Sequence, residues 1–324
     1  MGARWQRMSP FLVAAALLVS GGASMIHVSS RSSPVWDEMN FYGLGAYFVD
    51  TGRFDIPGAF HPPLSNYLDL LALDAQKIIR LGVFDPIGKD YPAAELLAAD
   101  VERGNLLLHW LGLEQFHRAR LPFILVYCLL GGVVFLWSRR WFGALGGLFS
   151  LALYLLCPNL MAHGYVIATD LLVAALLFSA LYFLFLAFEV PALGPVLGFL
   201  ICLALAPTAK LLGLLVGPGA ALCVVGRATT ARELAVYVPG TGRRPVTRWG
   251  FLAYWVGIGM AGVLLTYASL VVVYQGETDL HSFRLTLDLI GEQVKGGHPV
   301  FLDGLKSRHG FVGYYAKAIP YKTS

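Results

Sequence analysis

A few ionisable side chains stand out because they border or interrupt long apolar runs. Asp37 and Glu38 lie just beyond the first apolar run, and His61 precedes two prolines. His163 and the pair Thr169-Asp170 stand where another run begins, and Lys210 stands alone between two runs. Near the C-terminus come His298, Lys306, Arg308, His309 and Lys317. An ionisable group at membrane depth is a functional candidate by default. An apolar groove that opens on carboxylates, histidines and a lysine suits a substrate with a lipid tail and an anionic head. Each residue also has a plainer reading. Asp37, Glu38 and Asp170 favour helix N-termini. His61 fits a surface loop, His163 an interfacial site, and Lys210 a snorkelling anchor.

Apolar helices must position these groups. The 324 residues are 57% hydrophobic and 14% charged, with a mean hydropathy of +0.64. Segments 8–30, 121–138, 141–169, 171–188, 190–209, 211–226 and 249–276 contain no Asp, Glu, Lys or Arg. They make up about half the chain, and the rest is charged like an ordinary soluble protein. About 20 apolar residues cross a bilayer, so the expected fold is an all-α membrane protein, a polytopic bundle of about seven transmembrane helices. Pro207 and Pro218 leave a hairpin dipping into the bilayer as the alternative for 190–226. A soluble enzyme, a nucleic-acid binder and a disordered protein are excluded.

The net charge of +4 reflects topology. Arg4 and Arg7, then Arg139 and Arg140, then Arg227, Arg232, Arg243, Arg244 and Arg248 fall on one side, and 158–169 carries no basic residue. The positive-inside rule then puts the N-terminus in the cytoplasm and the singled-out residues on the outer face. The first apolar run is long and lacks a clear A-x-A site, so a retained anchor is expected rather than a cleaved leader. Cys128, Cys157, Cys202 and Cys223 lie in apolar runs without CxxC spacing, and no disulfide framework is implied.

The first outer loop, 29–120, is too long for a plain connection. Two amphipathic helices are expected in it, at about 37–50 with Gly52 at the exit, and at about 63–81. In the second, Leu64, Tyr67, Leu68, Leu71, Ala75, Ile78 and Ile79 share a face. Both are expected to lie flat at the membrane surface. Residues 82–104 read as irregular, followed by a short helix into Arg120 and Pro122. The expected division is 1–273 as the membrane region with this loop, and 274–324 as an outer C-terminal segment.

The ordered motifs resemble the GT-C class of integral-membrane glycosyltransferases. They are most similar to bacterial relatives of the dolichyl-phosphate-mannose protein mannosyltransferases. Trp36-Asp37-Glu38 with Phe41-Tyr42-Gly43 resembles the family's Asp-Glu opening of the first outer loop. Thr51-Gly52-Arg53-Phe54 and His61-Pro62-Pro63-Leu64 resemble its TG…PPL segment. Arg120-Leu121-Pro122 and Arg139-Arg140-Trp141-Phe142-Gly143 bracket the second span as the family's motifs do. Cys157-Pro158-Asn159-Leu160-Met161-Ala162-His163, closing at Ala168-Thr169-Asp170, Ala209-Lys210, and the tail Gly297-His298-Pro299 to Lys322-Thr323 complete the series. Relatives carry an acidic residue and a lysine before the two prolines, where this chain has Phe60 and His61. The family tail leads into further membrane helices, so a short or truncated member is expected at Ser324.

The resemblance implies transfer of a sugar from a polyprenyl-phosphate donor to an acceptor on the outer face of a bacterial inner membrane, with inversion. The acceptor is a protein, a lipid or a polysaccharide. It implies Asp37 as the catalytic base, with Glu38 beside it. His61, Arg120, His163, Asp170 and Lys210 are implied for the donor phosphate and head group. A divalent cation is optional. Asp37, Asp170 and His163 are its candidate ligands, with oxygen donors suiting Mg²⁺ or Mn²⁺ and an added histidine admitting Zn²⁺. Two other classes are open to the same residues: a transporter or flippase of a lipid-linked solute, and a nonenzymatic assembly subunit.

Overall fold

A computed structural model describes residues 2–54, 61–81, 93–297, 300–307 and 310–317. The protein is helical, and strands are confined to two short hairpins among the described residues. Helix α1 (Gly2–Ser29) leads to α2 (Trp36–Phe41), α3 (Leu44–Thr51), α4 (Leu64–Leu68), α5 (Ala75–Arg80) and α6 (Ala93–Ala119). Then come α7 (Leu121–Leu156), α8 (Pro158–His163), α9 (Asp170–Glu189), α10 (Leu193–Ala209) and α11 (Val216–Thr230). Hairpin β1–β2 (Ala235–Val238, Gly242–Pro245) precedes α12 (Arg248–Val273). Helix α13 (His281–Gly296) and hairpin β3–β4 (Val300–Leu302, Leu305–Ser307) follow.

Five helical stretches among the described residues are long and apolar enough to cross a membrane: Ser9–Ser29, Arg103–Leu156, Asp170–Glu189, Leu211–Thr230 and Arg248–Val273. Leu193–Ala209 is apolar but shorter. An all-α membrane protein is what results, but the expected seven spans do not separate as the charge-free runs do. The second and third runs form one element, α7, with a sharp reversal at Gly143. Ser138 Oγ lies 2.7 Å from Ser150 Oγ, and Tyr154 Oη donates to Tyr127 C=O at 2.8 Å. Twelve residues of straight helix would hold those serines about 18 Å apart. The arms 121–142 and 144–156 are therefore antiparallel. Gly143 has φ +74°, a backbone region that glycine enters without steric cost.

The long loop after α1 is more segmented than its periodicity suggests. The expected helix at 37–50 is two helices that meet at Gly43, whose φ is +73°. The expected helix at 63–81 breaks after a 3₁₀ turn at Asp69–Leu71, and Asp74 caps the next helix by accepting from Lys77 N–H at 3.1 Å. Of the expected irregular stretch, 93–104 is helical and 82–92 lies outside the described residues.

Two cores define opposite ends. At one end Tyr42, Phe48, Phe54 and Phe116 of the loop region and Phe123 of α7 pack with Leu270, Val273 and Tyr274. At the other, Leu234 and the β1 residue Val236 pack with Ala228, Phe251 and Trp255. Helix α10 fills the middle, against α9 and α12, while α1 lies along α7.

Candidate functional site

Helix α2 carries two adjacent carboxylates with different surroundings. Asp37 is exposed in the first turn and holds no hydrogen bond or ion pair among the described residues. Glu38 points inward and is fully buried. Its carboxylate pairs with both faces of the buried Arg120 fork, Nε at 2.8 Å and Nη2 at 2.6 Å. Val35 N–H and Ile167 N–H also donate to it, each at 3.0 Å.

Arg120 donates its remaining bonds to Ser29, Ser32 and Ser33 carbonyls. All five guanidinium N–H groups are thus held within the protein. Phe116 and Tyr165 cover the guanidinium, at 4.5 and 5.0 Å to the ring centroids. This ion pair ties the end of α1, helix α2, the start of α7 and the segment before α9 at one point.

Three residues after Ile167, Asp170 opens α9. Its Oδ1 accepts from Lys210 Nζ at 2.5 Å. The lysine side chain is 24% exposed and the carboxylate 57%, so the pair faces outward. Lys210 ends α10 in extended backbone (φ −160°) before the 3₁₀ turn Leu211–Leu215. That extended residue turns the chain, which is why a single lysine separates two apolar runs. The sequence singled out both residues, and the fold makes them partners.

His61 stacks on Phe41 of α2, centroids 6.4 Å apart and planes 12° from parallel. Just after it, Leu64 and Leu68 pack against Leu172, Val173 and Ala209. This brings the two-proline segment beside the Asp170–Lys210 pair. His163 is exposed at the end of α8. Among the described residues, no three His, Cys, Asp or Glu side chains gather as a metal site. Phe60, His298, Arg308 and His309 lie outside the described residues. In the tail, Lys306 lies over the Phe301 ring at 5.5 Å and Lys317 pairs with Asp303 at 2.5 Å.

An apolar groove of about 590 Å³ runs between α10, α11 and α12. Pro207 and Leu214 line the end nearest Lys210, and Val225 and Leu252 line the far end. Its walls are nearly devoid of polar groups, as the charge-free runs require.

Asp69 was not singled out in the sequence. It is fully buried and accepts from Gly43 N–H at 2.8 Å. The available signal was one acid inside the apolar stretch Leu68–Leu73. Burial pushes its carboxyl up to about 7, against the Gly43 hydrogen bond that favours the ionised form. In an unfolded chain an aspartate titrates near 4. Between those values the folded state keeps a proton that the unfolded state releases. Stability therefore falls as pH rises through that window and levels off above it. Asp69→Asn keeps the acceptor and removes the ionisation. Above pH 7 it should gain on the order of 4 kcal/mol over the parent, from about three pH units at about 1.4 kcal/mol each. Thermal midpoints at pH 5 and pH 8 check this, and an equal pH response in both proteins would refute it.

Residues 107–242 match the family model of dolichyl-phosphate-mannose-protein mannosyltransferase. No curated protein and no solved structure matches the chain. The matched stretch contains Arg120, His163, Asp170 and Lys210, and it ends before α12.

Proposed function

We propose, from the premise that residues 107–242 carry the mannosyltransferase-family pattern, that the protein is a membrane glycosyltransferase of the GT-C type. Its donor is a polyprenyl-phosphate-linked sugar and its acceptor is a hydroxyl on the outer face of the membrane. The carrying observation is the Asp170–Lys210 pair beside the groove end at Pro207, with Asp37 next to the Glu38 that holds Ile167, three residues before Asp170. An anionic head and an apolar tail then have adjacent berths.

The polyprenyl tail lies in the groove and the phosphate meets Lys210. An ammonium has three donors, so Lys210 can bond a phosphate oxygen while Asp170 keeps another N–H and fixes its direction. Asp37 takes the acceptor proton as the new C–O bond forms at the anomeric carbon. The bond to the donor phosphate breaks on the opposite face, and this inverts the centre. The phosphate leaves as an anion, so it needs charge stabilisation more than a proton. Glu38 and Arg120 act as positioning residues, because they hold α2 against the segment that leads into Asp170. His61 and His163 border the head-group space.

The test is mass spectrometry of lipids that co-purify with the full chain, followed by transfer from a labelled polyprenyl-phosphate sugar. Glycosylated product supports the reading. Movement of the intact lipid across a vesicle membrane, with no sugar released, overturns it in favour of a transporter. Lys210→Ala should weaken donor binding about 10- to 100-fold, the worth of one charge-assisted hydrogen bond. Unchanged donor affinity would remove Lys210 from the phosphate site.

A further inference from the structure

The end of the molecule opposite Asp37 carries a second charged surface. Helix α12 has 26 residues, so Arg248 stands about 38 Å along its axis from Val273. Val273 lies under the outer loop, where its carbonyl accepts from Tyr67 Oη at 2.9 Å. At the Arg248 end, segment 227–248 holds Arg227, Arg232, Arg243, Arg244 and Arg248 with one acid, Glu233. None of the five arginines is in an ion pair among the described residues. Arg140 nearby is, with Glu189.

This segment is folded. Leu234 and Val236 are buried in the core, and the hairpin register sets Arg243 opposite Tyr237 and Arg244 opposite Val236. Arg232 and Arg243 line one cavity of about 390 Å³ with Glu233, Leu234, Ala235, Pro245 and Val246. The cavity sits where two membrane-crossing helices end, α11 at Thr230 and α12 at Arg248. Next to it, Trp249 is 81% exposed, as aromatic side chains at the edge of a bilayer are. Val225 and Leu252, one step inside Arg227 and Arg248, line the far end of the apolar groove.

We propose that this surface binds the phosphodiester head group of an anionic phospholipid, with Arg232 and Arg243 as its principal contacts. Planar guanidinium forks suit two phosphate oxygens. Arg243 stands on β2 of the hairpin and Arg232 in the bend just before β1. The exposed tryptophan favours a lipid over a free anion, since it offers apolar surface to acyl chains. The assignment does not depend on sugar transfer, because it concerns the opposite end of the membrane region.

The test uses the full chain in detergent, titrated with dioleoyl phosphatidylglycerol, dioleoyl phosphatidylcholine or inorganic phosphate. Bound lipid is read by native mass spectrometry. Phosphatidylglycerol should be retained over phosphatidylcholine. Arg232→Gln with Arg243→Gln should lower its affinity about 30-fold, two basic side chains' worth. Arg232→Lys with Arg243→Lys should lose less, and Lys306→Gln at the other end should lose nothing. All four arginine changes are at exposed positions, and equal thermal midpoints show that the variants are folded. Equal retention of both lipids, or full retention by the double Gln variant, overturns the proposal. Displacement of phosphatidylglycerol by inorganic phosphate would make this a free-anion site and overturn the lipid assignment.

Discussion

Asp37→Asn should abolish sugar transfer while the protein inserts, folds and binds its donor as before. A positioned general base is worth about 10²- to 10⁴-fold in rate, or about 3 to 5 kcal/mol of barrier. Asparagine has the same shape but cannot take a proton from the acceptor. Asp37 is exposed and has no bonded partner among the described residues, so the substitution breaks no native contact and the thermal midpoint should not move. The loss should appear in kcat with donor affinity unchanged, because the phosphate contacts are assigned to Lys210. Transfer at the parent rate, measured with a labelled polyprenyl-phosphate sugar, would sink the role. A matching fall in thermal stability would point to a structural aspartate instead.

Arg120→Met should be the most damaging substitution to the fold. It leaves Glu38 charged and fully buried with two backbone N–H groups and no cation. Breaking a buried pair on one side costs about 3–5 kcal/mol. It also frees the carbonyls of Ser29, Ser32 and Ser33. Loss of that tether would unfasten α2 from the end of α1 and the start of α7, and Asp37 with it. Glu38→Leu should cost a similar amount, because Arg120 is then the unpaired charge. Replacing both by apolar residues should recover much of the stability but not the activity, since packing alone does not restore the four-way tether. Thermal midpoints for the two single variants and the double variant form a cycle that isolates the pair. A double variant no more stable than the single ones would refute the buried-charge account. Loss of donor affinity in Arg120→Met with no loss of stability would return Arg120 to the donor site.

Both arguments turn on neighbours far apart in sequence. The periodicity of 37–50 and 63–81 correctly gave helical character in the loop after α1. It missed the breaks at Gly43 and Asp74, where a left-handed residue and a side-chain cap override an apolar pattern. Charge-free runs marked Asp170 and Lys210 as interruptions. Their pairing depends on how α9 and α10 lie against each other, and apolar composition is silent on that. Glu38 looked like its neighbour Asp37, but one turns into the protein and the other to solvent. Only the helix's rotation against α6 and α7 decides which is which.

The amino-acid sequence by itself determined that this is a helical membrane protein with a large first loop. Hydropathy and helical spacing are local properties, read within a few turns of chain. The tertiary structure decided the rest: the reversal of α7 at Gly143, the Glu38–Arg120 tether, the Asp170–Lys210 pair at the groove, and the arginine hairpin at the far end. Apolar surface drives helices into contact without direction, so it sets depth in the membrane but not partners. Partners follow from backbone turns and buried charge, whose costs are felt only once distant segments meet.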